Sequence, residues 1–390
     1  MALDFDSARL PDPNLREEHE AWRSTLRRFV DSEVMPYVDA WDEQGEVPLD
    51  LWAKAAAIGL LPLGYPEAYG GNSEGIDIWH RNIVAEELAR TSLGGLQPSL
   101  LVHGIGLPPL VHFGSEDIKR AVIPPVLRGE KRISLAVTEP SGGSDVAAIR
   151  TRARREGDQF IVDGSKTFIS GGMRADWFTT AVRTGGEGAR GISVLLIPAD
   201  APGVSRTALA RKMGWWCSDT ATIHFDGVRV PAENLIGPEN AGFLVAMINF
   251  NNERMAMAVG MEASARVCLE EAVEWARQRQ TFGKRLADHQ VIRHKIAQMK
   301  QRILATQAWI QVCSRQIHEG TAQPADIALL KVQASETLEF CAREAMQVLG
   351  GAGYLRGNRV ERIYREVRVN AIGGGSEEIM RDLAARQYGF

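Results

Sequence analysis

Leu135-Ala136-Val137-Thr138-Glu139-Pro140-Ser141-Gly142-Gly143-Ser144-Asp145 is the stretch on which the reading of this 390-residue chain turns. On its N-terminal side, from about Asn14 to Lys131, apolar residues recur at helical spacing. Leu15, Trp22, Leu26, Phe29 and Val30 share one face, with Asn14 as an expected N-cap. Pro48 opens a further helix through Trp52 and Ile58 that Gly59 closes, and Ser115 caps another that carries Glu116 and Asp117 in its first turn. On its C-terminal side the period changes. Ile133–Thr138, Phe160–Val162, Thr167–Ser170, Phe178–Val182 and Ile192–Ile197 are short β-branched and aromatic runs. Gly157-Asp158, Asp163-Gly164 and Asp226-Gly227 read as turns between strands, and this segment ends near Pro231.

Farther out, helical periodicity returns in three long stretches, Gly242–Arg279, His289–Glu319 and Pro324–Leu349. A glycine-rich turn, Gly350-Gly351-Ala352-Gly353, leads to two shorter helices. The expected fold is α+β and multidomain. An N-terminal α-helical domain spans 1–132, a middle antiparallel β-barrel or sandwich 133–232, and a C-terminal four-helix bundle 233–390. No internal repeat or low-complexity tract interrupts this order.

Composition narrows the function. Hydrophobic content of 45% and charged content of 24% describe an ordinary globular chain, and a net charge of −4 gives nucleic acid no basic footprint. Cys217, Cys268, Cys313 and Cys341 are scattered without a CxxC pair, which suits a reducing compartment. The start has acidic residues and no apolar run, and no uncharged stretch reaches spanning length. A cytoplasmic protein without membrane partners is expected. No strand-to-helix G-x-G-x-x-G, P-loop, G-x-S-x-G elbow or H-E-x-x-H pairing occurs, so nicotinamide, nucleotide-hydrolysing, serine-hydrolase and zinc-peptidase readings fall away, and no metal is called for.

The opening stretch resembles the VTEPxxGSD signature of acyl-CoA dehydrogenases. Four further segments agree in order: Thr167-Phe168-Ile169-Ser170 resembles the family's WIT strand, and Cys217-Ser218-Asp219-Thr220 its SDT stretch. Arg279-Gln280-Thr281-Phe282-Gly283-Lys284 resembles R-x-x-FG, and Gln347 to Tyr354 the Q-x-x-GG-x-G-[FY] turn. The resemblance spans roughly residues 15–388. It implies a homo-oligomer, a dimer of dimers, with each FAD between the β domain and the bundle and touched by a neighbouring subunit. By position, Leu135, Val137, Thr138, Phe168, Ile169 and Ser170 would wall the isoalloxazine. Ser144 would contact flavin and substrate. Arg279, Thr281, Phe282, His289 and Gln290, with Gln347, Val348, Gly350 and Gly351, would hold diphosphate and adenine, partly across the dimer. Ser376 and Glu378 would complete the cofactor contacts, and Phe250, Asn251, Arg254 and Gly375 would line the substrate. The types fit their tasks: hydroxyls suit flavin heteroatoms, arginine suits phosphate, and glycines admit close approach.

The implied reaction is dehydrogenation of an acyl-CoA thioester to the trans-2-enoyl-CoA, with an electron-transferring flavoprotein as acceptor. Competing readings are an oxygen-using oxidase or monooxygenase on the same fold, and a non-catalytic acyl-CoA-binding protein. Dehydrogenation needs a carboxylate to take the α-proton while hydride leaves the β-carbon for flavin N5. Many family members place that Glu near the C-terminus, where this chain has Gly374. The isovaleryl-CoA and long-chain types carry it instead on a bundle helix, where this chain has Glu253. Phe243–Ile248 and Met255–Val259 flank Glu253-Arg254 with apolar residues, so a helix buried all round is expected. A charged island there needs partners or a task. Glu253 is the expected base, with Gly374 contributing its main-chain N–H to the thioester carbonyl. Glu377 and Glu378 are the rival acids, at a helix start.

Overall fold

The computed structural model describes residues 3–390. The N-terminal periodicity becomes α1 (Glu17–Glu33), α2 (Val38–Gln44), α3 (Asp50–Ala57), α4 (Ile78–Ala89), α5 (Leu96–Leu100), α6 (His103–Gly106), α7 (Pro108–Phe113) and α8 (Glu116–Leu127). Ser115 caps α8, its Oγ accepting from the Ile118 N–H. Asn14 does not cap α1. Its amide and side chain both turn back onto Asp12, so the helix starts two residues later, with Arg16 N donating to His19 Nδ1 at 2.9 Å. Helix α4 is buried along most of its length because it serves two cores. Ile83, Val84 and Leu88 pack on the N-terminal helices, while Ile78, Trp79 and Ala85 pack on the C-terminal bundle.

The strands are β1 (Ile133–Ala136), β2 (Arg152–Glu156), β3 (Gln159–Ser170), β4 (Trp177–Arg183), β5 (Ile192–Pro198), β6 (Val204–Ala208), β7 (Thr220–Pro231) and β8 (Leu235–Ile236). They form one sheet in the order β6-β7-β3-β2-β4-β5-β8, with β1 added beside β4. Inward residues of β3, β4, β5 and β7 share one core, so the sheet curls around it. Pairing is antiparallel except where β1 and the start of β2 run parallel to β4. Two expected turns are not turns. Asp163-Gly164 and Asp226-Gly227 lie inside two 12-residue strands and face each other in a bulge, where the Gly227 N–H donates to Asp163 Oδ1 at 2.8 Å. Asp-Gly has the chemistry of either device, and the partner strand decides. Gly157-Asp158 is a true hairpin turn between β2 and β3.

Beyond β8 come α9 (Gly242–Met247), α10 (Phe250–Gln278), α11 (Gln290–His318), α12 (Pro324–Leu349), α13 (Arg359–Glu366), α14 (Arg368–Ile372) and α15 (Glu377–Gln387). A short hairpin of β9 (Gln280–Thr281) and β10 (Lys284–Arg285) joins α10 to α11. The first expected long helix is thus broken at Ile248-Asn249. Asn249 stands at the N-cap of α10, its carbonyl accepting from the Glu253 N–H at 3.1 Å while its Nδ2 donates to the Gly104 carbonyl at 2.8 Å. This gives α10 an N-terminus of its own and puts Glu253 in its first turn. Nor is the segment buried all round: Leu244 and Ile248 of the α9 stretch are exposed.

Candidate active site

Most of α10 is buried, but one stripe keeps partial access: Glu253, Ala256, Met257, Gly260 and Ser264. That spacing is one helical face. The α5–α6 segment opposite shows the same pattern at Gln97, Leu101, Gly104 and Ile105. Two contacts join the faces, Asn249 to Gly104 at one end and Gly260 beside Gln97 at the other. A Cβ on Gly260 would sit 3.4 Å from the Gln97 carboxamide oxygen. A narrow accessible seam therefore runs from Glu253 to Gly260, about 10 Å along the helix.

Glu253 stands at the Asn249 end of this seam. Its Oε1 is sealed from water and has no hydrogen-bond partner. Burial pushes the carboxyl up to about 7, against weaker opposition from Asn249 and Arg254. Arg254 cannot neutralise it. Residues one apart on a helix diverge, and the Arg254 Nε donates instead to the Gly374 carbonyl at 3.2 Å while its Nη1 reaches Asn251 Oδ1. Its guanidinium also lies over the Phe250 ring. The rival acids are otherwise employed. Glu377 accepts from Ser335 Oγ at 2.6 Å. Glu378 is exposed, and its own backbone N–H and the Ser376 hydroxyl hold its carboxyl low. Glu366, unnoticed in the sequence, is also pushed by burial to about 7, but Gly94 N and Trp215 N satisfy it at 2.7 and 2.9 Å.

Gly374 has φ +68°, and a Cβ there would meet the Met257 thioether at 2.7 Å. A glutamate at this position would be strained. Gly375, at φ +100°, is closed in by Met380, and its carbonyl is held by Lys331.

The end of β3 packs on the α5–α6 segment, since a Cβ on Gly171 would lie 3.2 Å from the buried Val102 side chain. Phe168 is 70% exposed at φ +57°, an unusual conformation for an aromatic residue. Beside it Thr138 and Ser170 are half-buried, and neither hydroxyl has a partner among the described residues. An exposed ring flanked by unengaged hydroxyls fits a planar heterocycle that carries its own donors and acceptors. Leu135 is partly accessible, whereas Val137 and Ile169 turn their side chains into the β-domain interior, leaving only backbone to a ligand. Ser144 is exposed.

What holds the opening stretch in place was not anticipated. Glu139 and Lys166 form a buried ion pair at 2.8 Å. Burial would raise the Glu139 carboxyl, but Lys166 and hydrogen bonds from Thr151 take it down to about 2. Lys166 also donates to the Val137 carbonyl. Glu139 lies in the loop after β1 and Lys166 on β3, so no local pattern pairs them.

The remaining expected cofactor residues lie at the other end of the bundle. Phe282-Gly283, both at positive φ, turn the β9–β10 hairpin and leave Phe282 96% exposed. His289 caps the start of α11 with its Nε2 near the Thr281 carbonyl and hydroxyl, and Gln290 follows it, exposed. Arg279 is exposed and forms no ion pair among the described residues. Gln347, Gly350 and Gly351 are exposed at the end of α12, but the Val348 side chain points into the bundle core. The structure thus gathers the expected residues at two places, not one.

A compact trio, His19, Asp77 and His80, has ligand atoms close enough for a metal. Its hydrogen bonds account for it otherwise: His19 Nδ1 accepts from Arg16 N, leaving Nε2–H to donate to Asp77, which also caps α4. It is a node tying α1 to α4.

Comparison with known proteins agrees with this layout. Family models described as acyl-CoA dehydrogenase N-terminal, middle and C-terminal domains match residues 16–130, 134–228 and 240–389. The chain is 39% identical to the acyl-CoA dehydrogenase AFT10-1 of Alternaria alternata, covering 95% of this chain and 91% of that one. It is 35% identical to the mitochondrial long-chain specific acyl-CoA dehydrogenase of Sus scrofa, covering 95% and 86%. A probable acyl-CoA dehydrogenase from Mycobacterium abscessus superposes with a TM-score of 0.93 at 42% identity, covering 96% and 99%. A glutaryl-CoA dehydrogenase from Mycobacterium smegmatis, solved in complex with FADH2, superposes at 0.90 and 26% identity, covering 96% and 95%. The three-domain fold, the matching family models and these relatives make the chain a member of the acyl-CoA dehydrogenase family, an FAD-dependent oxidoreductase acting on acyl-CoA.

Proposed function

We propose that Glu253 is the base that takes the α-proton of the acyl-CoA, giving the trans-2-enoyl-CoA. The observation that carries this reading is the Glu253 carboxylate, the acid in the seam that has an unpartnered oxygen and a proton affinity matched to neutral pH. FAD, when bound, supplies the acceptor for the hydride that leaves the β-carbon. The chain's residues do the rest. Thr138 and Ser170 offer hydroxyls to the flavin edge, Phe168 covers it, and the Glu139–Lys166 pair fixes the loop that carries Thr138. The Gly374 N–H serves the thioester carbonyl, whose polarisation acidifies the α-proton. The acyl chain lies along the seam toward Gly260 and Gln97.

The diphosphate and adenine contacts require a second copy. Arg279 follows Glu253 by 26 residues, which is about 39 Å along a helix and longer than an extended dinucleotide. A neighbour's hairpin and α12 terminus would supply Arg279, Phe282 and Gln347, which supports a homo-oligomer, a dimer of dimers. An electron-transferring flavoprotein in the cytoplasm is the acceptor this reading implies. The test is anaerobic: with a panel of short, medium, long and branched acyl-CoAs, the flavin should bleach with at least one. In Glu253→Gln, which keeps size and hydrogen bonding, the reduction rate should fall ~10²–10⁴-fold with FAD content unchanged. Parental bleaching by Glu253→Gln would remove Glu253 from the mechanism.

A further inference from the structure

Lys331 lies in α12 with no exposed surface, and a buried ammonium without a counter-charge is costly. It forms no ion pair among the described residues. The nearest acid to influence it, Glu377, spends one oxygen on Ser335 and turns the other toward Arg381. Lys331 Nζ donates instead to the Gly375 carbonyl at 2.8 Å. Burial draws its pKa down to about 8, with Glu377 opposing, Arg254 assisting and Glu378 opposing. Arg254, from α10, repeats the arrangement one residue earlier: buried, without an ion pair, its Nε on the Gly374 carbonyl. Two buried cations from two helices therefore end on consecutive carbonyls of one loop.

Beyond these contacts the loop is tied at its ends, where the Gly373 N–H donates to the Val369 carbonyl at 2.7 Å and Ser376 caps α15. Gly373, Gly374 and Gly375 follow one another, and glycine is the residue whose backbone must be held from outside. Both positive-φ glycines take their conformation between Met257, Met380 and the two cations. We propose that Lys331 is a positioning residue for the dehydrogenation: by holding the Gly375 carbonyl it fixes, with Arg254, the glycine loop so that the Gly374 N–H is aimed at the thioester carbonyl. This role presupposes the Gly374 amide as the thioester donor. Two positive charges without ion-pair partners at the same place also favour the negative charge that develops on that oxygen as the α-proton leaves.

A Lys331 that merely anchored α15 on α12 would behave differently on substitution. Lys331→Met replaces an unpaired buried charge by an apolar chain of similar length, a change that is often neutral or stabilising. Its melting temperature and FAD content should match or exceed the parent's, while anaerobic flavin reduction slows by at least about tenfold, one general effect of losing a preorganised donor. A second readout isolates the carbonyl. An acyl-CoA with sulfur in place of the β-methylene cannot deliver hydride, and its bound α-anion is followed by long-wavelength charge-transfer absorbance with oxidised flavin. The pH at which that absorbance appears should move up by about one unit or more in Lys331→Met, a tenfold loss in acidification. Lys331→Gln, which keeps a donor for Gly375, should recover part of both effects, and it carries the test if the methionine variant does not fold. A methionine variant with parental reduction and an unshifted analogue titration overturns the proposal. So does a slower rate matched by equal losses of stability and flavin. Glu253→Gln reports on the base separately, since the analogue shift is measured with Glu253 intact.

Discussion

Helix α10 carries two buried glutamate–arginine combinations, and their surroundings could hardly differ more. Glu262 and Arg266 stand four apart and bond directly at 3.0 Å. Arg266 also reaches Glu86 and the Phe5 carbonyl, and Glu262 accepts from Gln307 at 2.7 Å. Glu86 in turn binds Arg9 and Arg23. Every charge there has a partner, and the set locks α10 to α4, α11 and the N-terminal segment. Glu253 and Arg254 stand one apart, cannot meet, and leave a buried carboxylate oxygen without a hydrogen-bond partner. The first pair is satisfied within the fold, while the second leaves Glu253 without a counter-charge in contact, which is the difference the proposed function rests on.

Two substitutions should separate these roles. Glu253→Gln should produce the larger catalytic effect in the molecule without lowering stability at neutral pH. Arg266→Ala should do the reverse. It strands Glu86 and Glu262 in the interior, so chemical denaturation should show a loss of about 3–5 kcal/mol, with activity per bound flavin close to the parent's. A stable Arg266→Ala protein with impaired chemistry would break the contrast.

Acidity sharpens it. The folded value of Glu253, about 7, lies above the ordinary 4.5, so the native state holds this proton more tightly than the unfolded chain does. The stability it contributes is complete below about 4.5 and is lost as the pH rises through about 7. Glu253→Gln should therefore match the parent's melting temperature near pH 4 and exceed it at pH 8, by an amount worth at most about 3 kcal/mol. Catalysis runs the other way. Since the base must be ionised, kcat/KM of the parent should climb through a pH of about 7. A flat profile from pH 5.5 to 8.5 would show that another group governs the rate.

The sequence disclosed the helix–sheet–helix order and the motif segments because periodicity and turn chemistry are local properties. It did not disclose what depends on partners. Asp163-Gly164 and Asp226-Gly227 look like turns until the strands pair and make them one bulge. The break before α10 is invisible in Phe243–Met255, where the Asn249 side chain finds its acceptor on α6, far away in the chain. The Glu139–Lys166 anchor joins residues far apart in the chain, and the access left along Glu253, Met257 and Gly260 exists only because α5–α6 crosses there. That Gly374 cannot readily carry a side chain is a fact of its φ and of Met257, which no spacing rule contains.

The smallest effect on stability should come from the far end of α10, beyond both charge pairs. Phe282 is 96% exposed at the tip of the β9–β10 hairpin and packs only edge-on near His289, with ring centroids 6.3 Å apart. A side chain this exposed contributes within about 0.5 kcal/mol to its own subunit's fold. Its positive φ is part of a tight turn with Gly283, and alanine at the same φ keeps a comparable strain. Under the proposed function this ring is covered by a neighbouring copy of the chain, because Arg279 and the hairpin lie too far along α10 from Glu253 to serve the same flavin. Phe282→Ala should thus leave the melting temperature of the flavin-free protein almost unchanged while lowering the FAD retained after dialysis and weakening subunit association, both read by absorbance and light scattering on one sample. If the variant keeps its flavin and its oligomeric mass, the hairpin does not serve a neighbour's cofactor, and the two ends of α10 belong to unrelated functions.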